Sequence, residues 1–320
     1  MRIISGTAEF ELTENTAVTI GKFDGIHRGH RKILEQVLRA RKDGMKAVVF
    51  TFDPSPGDFF SGSPQKVLTT REEKRQIFAK MGFDILVEFP MNRQTASIPA
   101  EEFVRRILCE KMHTRFLAAG TDLSFGDRGL GDWQLLRRLS GMLGYRVRVT
   151  DKLLYEGREI SSTFIKEEIA AGNLERAADM LGAPYRVGGE VSHGKRLGRT
   201  FGMPTVNLLP PPDKLLPPNG VCFSETELEG KKIHGITNIG CRPTVSNSGQ
   251  MSVETYLYDF HQEIYGAFVE VSLHAFRRPE RKFSGVEELK AHMAQDIAAG
   301  RAYWRLQEPG RESPSDGDTE

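Results

Sequence analysis

A stretch near the start of the chain combines three glycines with two histidines at regular spacing. It reads GKFDGIHRGH over residues 21–30. Gly21, Gly25 and Gly29 allow the backbone to approach a bulky anion closely. His27 and His30 lie three positions apart, so on a first helical turn their side chains would point the same way. Two imidazoles placed there can donate hydrogen bonds to a phosphoryl group as its charge develops. The stretch is therefore predicted to bind nucleotide phosphates.

The residues around this stretch predict a strand before it and a helix after it. The apolar run Ala17–Ile20 precedes it, and apolar residues at positions 33, 34, 37 and 38 follow at helical spacing. A glycine turn that opens a helix offers unpaired backbone N–H groups to an anion. The alternative interpretation is a partial metal site or a solvated histidine pair. A zinc site is disfavoured because no third ligand follows at suitable spacing.

The glycine and histidine stretch resembles the HxGH nucleotidyltransferases, and specifically the adenylyltransferase half of the bacterial bifunctional riboflavin kinase/FAD synthetases. Three more segments match that half in order: VFTFDP at 49–54, GTDLSFG at 120–126 and ISST at 160–163. The segment GRTFGMPTVNL at 198–208 is similar to the signature of the riboflavin kinase half. The resemblance covers about residues 14 to 300, nearly the whole chain.

This resemblance implies the roles of residues in the first half. His27 and His30 would be catalytic in the transfer of AMP from ATP to FMN. The residues implied to bind ATP there are Gly21, Phe23, Asp24, Gly25, Gly29, Ser162, Thr163 and Lys166.

In the second half, the resemblance implies a kinase site. Glu254, within VETYLYDF at 253–260, would act as the general base toward the terminal hydroxyl of riboflavin. Thr205 and Asn207 would bind Mg²⁺. The residues implied to bind ATP there are Gly194, Lys195, Gly198, Arg199, Gly202, Thr205 and Asn207. Without the resemblance, Glu254 is interpreted as an ordinary outward strand residue, and the glycine segment over 193–199 is either a plain hairpin or a loop that receives phosphates.

Three positions depart from the family pattern. Ser55 stands where the family usually has a histidine, so one phosphate contact is expected to be missing. Lys166 replaces the usual arginine, which keeps the charge but loses the planar fork that binds two phosphate oxygens. Cys222 replaces the usual tyrosine, and looser packing near the nucleotide is the expected consequence.

The pattern of predicted elements changes near the middle of the chain. Strand and helix patterns alternate up to about residue 182, which predicts a Rossmann-like parallel sheet with helices on both faces. Short β-rich stretches follow, which predict an antiparallel barrel or sandwich, and the resemblance implies a Greek-key barrel. Apolar spacing after a capping-box start at 284–287 predicts a C-terminal helix. The predicted domains are 1–182 and 183–305, followed by a disordered acidic tail over 306–320.

Composition limits the classes of partner. Lys and Arg number 44 against 43 Asp and Glu, so no global field favours nucleic acid or an anionic membrane. Three cysteines without metal spacing indicate reduced thiols. No apolar run of about 18 residues occurs. We expect a cytoplasmic enzyme whose partners are riboflavin, FMN and ATP, with Mg²⁺ as cofactor, and the oligomeric state stays open.

The expected activity is phosphorylation of riboflavin to FMN followed by adenylylation of FMN to FAD with release of pyrophosphate. One alternative is a riboflavin kinase whose adenylyltransferase half has decayed. Another is a flavin-nucleotide sensor without turnover, against which the base Glu254 argues, since a pure binder needs none.

Overall fold

The computed structural model describes residues 1–192, 205–242 and 250–307. The chain forms two compact units. The first comprises Met1–Lys166 with Met180–Gly182, and the second comprises Glu167–Asp179 with the chain from Ala183 onward.

The first unit is built on six parallel strands in the order β1-β4-β3-β2-β5-β6. The strands are β1 Arg2–Ser5, β2 Thr16–Ile20, β3 Lys46–Asp53, β4 Ile85–Pro90, β5 Thr114–Gly120 and β6 Arg146–Thr150. A small hairpin follows, β7 Leu154–Tyr155 with β8 Arg158–Glu159. The predicted α/β architecture is confirmed, because every neighbouring pair in the large sheet is parallel.

Helices connect these strands and cover both faces of the sheet. They are α1 Arg28–Ala40, α2 Pro56–Ser61, α3 Arg71–Lys80, α4 Arg93–Ala96, α5 Ala100–Glu102 and α6 Trp133–Leu143. Two further helices follow the small hairpin, α7 Ser162–Ala170 and α8 Leu174–Leu181, and part of each belongs to the second unit. All five residues of β2 are buried, which is typical of a central strand covered on both sides. One core contains Val18, Val48 and Phe50, and the other contains Ala17 and Val49 with the inner face of α1.

One predicted helix has a different geometry. The apolar spacing over 100–112 predicts an α-helix, but after α5 the chain continues as a π-helix over Phe103–Lys111. The N–H of Met112 accordingly donates to the carbonyl of Ile107, five residues earlier, at 3.1 Å. Apolar spacing shows which side of a helix is buried, but it does not distinguish the hydrogen-bond step that closes each turn.

The second unit is an antiparallel barrel with a C-terminal helix. Its strands are β9 Tyr185–Glu190, β10 Thr205–Leu208, β11 Gly220–Leu228, β12 Lys231–Arg242, β13 Gln250–Leu257 and β14 Phe268–Pro279, in the order β10-β13-β12-β11-β14-β9. Hairpins join β11, β12 and β13, and β14 returns beside β11, which is a Greek key. Ser192 pairs with Asn207 in an isolated bridge, which closes the sheet.

The barrel interior contains polar as well as apolar side chains. Ser224, Thr237 and Thr255 are fully buried. The hydroxyl of Thr237 makes 2.8 Å hydrogen bonds with those of Ser224 and Thr255, so these buried groups are satisfied. Neighbouring residues on each strand point to the opposite face, so Glu254 and Asn238 lie on the outer side. The C-terminal helix, Val286–Gln307, includes the first two residues of the predicted tail.

Candidate active sites

The glycine and histidine stretch lies between the end of β2 and the start of α1, as predicted. Its glycines are needed for the turn to fold on itself. A Cβ on Gly21 would lie 2.9 Å from the ring of Phe23, and one on Gly29 would lie 3.2 Å from the ring of His27. Gly25 has a φ of +82°, and a Cβ there would lie 2.7 Å from Leu68. Larger residues at these positions would displace the side chains that the turn presents.

The two histidines of this turn form a stacked pair, in which His27 is buried and His30 is half-buried. Their ring centroids lie 3.7 Å apart with planes 19° from parallel. His27 is the N-cap of α1, and its Nδ1 accepts a 3.4 Å hydrogen bond from the backbone N–H of His30. In the neutral ring of His27 the proton is therefore on Nε2. Nδ1 of His30 is buried and has no hydrogen-bond partner among the described residues.

Burial keeps both imidazoles neutral near pH 7. It lowers the pKa of His27 to about 4, although the carboxylates of Asp122 and Asp24 act in the opposite direction. Burial, and then the neighbouring His27, hold the pKa of His30 well below its usual value. Each neutral ring therefore carries one N–H group, which it can donate to an oxygen anion.

We expect the stability of the protein to fall in mild acid because of His27. Its folded pKa of about 4 lies below the unfolded value of 6.5, so the unfolded chain binds the proton first. The contribution of His27 is complete above about pH 6.5 and is lost progressively as the pH falls toward 4. Between pH 6.5 and 5 the loss should be about 2 kcal/mol in the free energy of unfolding.

Denaturant unfolding at several pH values measures this effect. His27→Asn is the matched variant, because asparagine is a good N-cap but does not titrate. It should show a shallower decline than the parent chain over the same interval. Equal slopes for the two proteins would contradict the assignment of the acid sensitivity to His27.

Asp24 connects the histidine turn to two other segments. Its Oδ1 accepts hydrogen bonds from the backbone N–H groups of Leu68, at 2.7 Å, and Thr69, at 3.1 Å. Its Oδ2 pairs with Nζ of Lys166 at 2.8 Å, and its backbone carbonyl accepts a 2.8 Å hydrogen bond from the hydroxyl of Ser162. The structure thus brings Ser162 and Lys166, both predicted from sequence, to the histidine turn. It also gives Asp24 a positioning function.

Thr163 and Ser55, also singled out from sequence, lie at the starts of other helices. Thr163 is exposed in the first turn of α7, directly after Ser162. Ser55 is the N-cap of α2, where its hydroxyl accepts from the N–H of Asp58 at 3.2 Å and donates to Oδ2 of Asp58 at 2.7 Å. The serine that replaces the family's histidine thus has a local structural function that the sequence analysis missed.

A charged cluster near the same strand ends was also missed by the sequence analysis. Arg71 pairs with Asp53 at 2.8 Å and with Glu88 at 2.6 Å, and Arg75 pairs with Glu88 at 2.6 Å. Burial alone would raise the pKa of Glu88, but the hydrogen bonds from Arg75 and Arg71 lower it to about 2. Lys74, from the same helix, has its pKa lowered by burial. The signal in the sequence was arginines at i and i+4 of α3 with a single glutamate inside the apolar strand β4.

The predicted kinase residues meet on the outer face of the barrel. Thr205 begins β10, and the side-chain N–H₂ of Asn207 donates to the carbonyl and the hydroxyl of Thr205, each at 3.2 Å. Asn207 is directly opposite Glu254 in the register of β10 and β13. The residues Gly194, Lys195, Gly198, Arg199 and Gly202 lie outside the described residues.

The oxygen atoms at this place suit Mg²⁺. A hydroxyl and a carboxamide on one strand, with a carboxylate opposite, are the hard ligands that this ion prefers. In the part of the chain that the structure describes, no group of three or more His, Cys, Asp or Glu residues could hold a metal. Mg²⁺ usually takes few protein ligands and completes its shell with water and substrate phosphates. Thr205 and Asn207 therefore fit the ion as a partial site.

Comparisons with known proteins match both halves. A family model described as FAD synthetase matches residues 9–164, and one described as riboflavin kinase matches residues 181–304. A bifunctional riboflavin kinase/FMN adenylyltransferase of Escherichia coli (strain K12) is 35% identical over 92% of this chain and 95% of its own. One from Listeria monocytogenes is 36% identical over 91% and 93%. The chain belongs to the bifunctional riboflavin kinase/FMN adenylyltransferase family.

A solved structure with the same fold carries an unrelated name. It is titled a macrolide-efflux protein from Streptococcus pneumoniae, and it is 29% identical, with a TM-score of 0.78 over 91% of this chain and 95% of that chain. Within the described residues of the present chain, no helix is long and apolar enough to cross a membrane.

Cys222, the third departure from the family pattern, lies inside the barrel. Its side chain is fully buried, and it is opposite Phe276 in the pairing of β11 with β14. Burial raises the pKa of the thiol to about 12, so the group is protonated and unreactive. The side chain of Cys222 points to the same side of β11 as the buried hydroxyl of Ser224. The substitution therefore changes the packing of the interior.

Proposed function

We propose that this enzyme phosphorylates riboflavin with ATP to give FMN, and then transfers AMP from a second ATP to FMN, giving FAD and pyrophosphate. The observation that carries the proposal is that each half brings the polar residues predicted for its own reaction close together. Asn207 faces Glu254 in the barrel, and the His27 and His30 rings stack at the end of β2. The retained histidine pair supports the bifunctional enzyme over a kinase with a decayed adenylyltransferase half.

In the kinase reaction, Glu254 takes the proton of the terminal hydroxyl of riboflavin while that oxygen attacks the γ-phosphorus of ATP. The bond from the γ-phosphorus to the bridging oxygen breaks, and ADP leaves. Thr205 and Asn207 would hold Mg²⁺, which supplies neutralisation of the phosphate charge when bound. The hydrogen bonds between Asn207 and Thr205 keep the metal-binding oxygen atoms of both side chains on the face of β10 that Glu254 shares.

In the adenylyltransferase reaction, a phosphate oxygen of FMN attacks the α-phosphorus of ATP and pyrophosphate leaves. No base is needed for an ionised phosphate, so the contribution of the protein is positioning and charge stabilisation. The Nε2–H of His27 and the N-terminus of α1 donate to the phosphoryl oxygens as negative charge accumulates. Asp24 orients the turn, and Ser162, Thr163 and Lys166 extend the phosphate contacts.

We assign adenylyl transfer to residues 1–182 and phosphorylation to residues 183–305. We place the enzyme in the cytoplasm. Two cysteines support this placement, because Cys109 and Cys222 are free thiols.

Chromatography of flavins after incubation with riboflavin, ATP and Mg²⁺ tests the proposal. Formation of FAD supports the bifunctional enzyme. FMN without FAD would indicate the kinase with a decayed adenylyltransferase half. The absence of both products would indicate a flavin-nucleotide sensor.

We expect adenylylation to be the slower step, because Ser55 and Lys166 replace a histidine and an arginine of the family. A charge-assisted hydrogen bond contributes about 1.5 to 3 kcal/mol, so the loss of one should cost roughly 10- to 100-fold. FMN should therefore accumulate when riboflavin is supplied. Ser55→His with Lys166→Arg should raise the adenylylation rate and leave the phosphorylation rate unchanged.

The double variant also removes a structural contact made by Ser55. Ser55→His removes the N-cap of α2, at a cost of about 1 kcal/mol, so its thermal stability must be measured beside its rate. Lys166→Arg alone keeps a cation beside Asp24 and serves as the less disruptive comparison. A folded double variant that is no faster would show that other residues already compensate.

A further inference from the structure

Glu254 has an asparagine on each side in the sheet. The register pairs it with Asn207 of β10 on one side and with Asn238 of β12 on the other. Directly opposed residues of antiparallel strands share a face, with Cβ atoms about 4.5 to 5.5 Å apart. The outer face of the barrel therefore carries a row of carboxamide, carboxylate and carboxamide across three strands.

The two carboxamides differ in their surroundings. Asn207 is only 4% exposed, and its N–H₂ group is used by Thr205. Asn238 is exposed, and its side chain makes no hydrogen bond to any residue that the structure describes. Gly240 is the next residue of β12 on the same face, and a Cβ there would lie 3.6 Å from Nδ2 of Asn238 and 3.4 Å from Oε1 of Glu280. Both are ordinary van der Waals distances, so the backbone at position 240 does not hinder the Asn238 amide.

The order of the three residues in this row places ATP and riboflavin on different sides of Glu254. In the proposed kinase reaction, the ATP phosphates lie on the side of Thr205 and Asn207, and Glu254 receives the proton. The hydroxyl that loses this proton lies between the γ-phosphorus and Glu254, so the chain that carries it extends toward the other side of Glu254, where Asn238 lies. A carboxamide offers both donors and an acceptor, which matches a chain of neighbouring hydroxyl groups.

We propose that Asn238 binds a hydroxyl of the ribityl chain of riboflavin, next to the reacting one, and thereby holds the reacting hydroxyl at Glu254. This inference rests on the proposed kinase function. It adds a flavin-binding residue on β12 to the kinase residues predicted from the sequence.

Steady-state kinetics of Asn238→Ala test the contact. Loss of a neutral hydrogen bond of about 0.5 to 1.5 kcal/mol should raise KM for riboflavin roughly 2- to 10-fold and leave KM for ATP unchanged. Adenylylation of added FMN, measured in the same preparation, should stay at the parent rate, and the unchanged KM for ATP in the phosphorylation reaction shows that the barrel itself is folded. Lys232→Ala, on the same strand and face, is the control and should change neither constant. An unchanged KM for riboflavin, or an increase for ATP instead, would overturn the inference.

A second variant tests whether the side chain at position 238 lies beside Glu254, as the inference requires. Asn238→Asp places a carboxylate next to Glu254, and two neighbouring carboxylates resist simultaneous ionisation. The acid limb of the kcat/KM profile for riboflavin should therefore move to higher pH than in Asn238→Ala. An unmoved limb would overturn the inference. If the parent chain makes no FMN at all, both the proposed kinase function and the role of Asn238 are wrong. If the parent is active and the Asn238 variants behave like it, only the role of Asn238 is wrong.

Discussion

Glu254→Gln should lower kcat for riboflavin phosphorylation by about 10²- to 10⁴-fold, the usual contribution of a general base. Glutamine keeps the size of the side chain and can still pair across the sheet with Asn207, but it cannot accept the proton of the attacking hydroxyl. Adenylylation of added FMN should continue at the parent rate, because the histidine turn belongs to the other compact unit. Separate assays with riboflavin and with FMN as the first substrate measure the two steps.

A matched control is available in the same barrel. Glu227→Gln, on β11, makes the same chemical change away from the proposed site and should leave both rates unaltered. If Glu254→Gln slowed both reactions equally while the chain stayed folded, two independent sites could not be maintained. A rate within a factor of a few of the parent would exclude Glu254 as the base.

Replacing both His27 and His30 by alanine should abolish FAD synthesis and leave FMN synthesis intact. The double variant removes the two imidazoles that stack at the end of β2, and with them the N–H donors available to the α-phosphoryl group. Neither side chain belongs to the barrel. Incubation with riboflavin and ATP should therefore yield FMN as the end product, which chromatography resolves from FAD.

The single variant His27→Asn separates the chemistry from the folding of the turn. Asparagine can still cap α1, so the helix start should persist while the imidazole is lost. Loss of FAD synthesis with an unchanged melting temperature at neutral pH would locate the defect in the phosphoryl contact. Undiminished FAD formation by the alanine double variant would show that the turn has only a structural function.

The sequence alone determined the architecture of both halves, because periodicity is a local property. Alternating strand and helix patterns predicted the parallel sheet, and short β-rich stretches predicted the barrel. Three-residue spacing at a helix start was enough to place His27 and His30 together. The family resemblance supplied the Greek-key topology and the identity of Glu254, which composition and spacing could not have distinguished from other strand glutamates.

Tertiary structure decided how the predicted residues are used, because their partners are distant in sequence. Asp24 accepts hydrogen bonds from residues 68 and 69 and from α7, which is more than 130 positions away. No local sequence pattern predicts hydrogen bonds over such a separation. Ser55 could be recognised as a substitution, but its capping of α2 depends on backbone geometry. Asn238 became a neighbour of Glu254 only through the register of β12 and β13. Pairing register is fixed by the packing of the whole barrel, since a shift of one residue would turn each of these side chains to the opposite face.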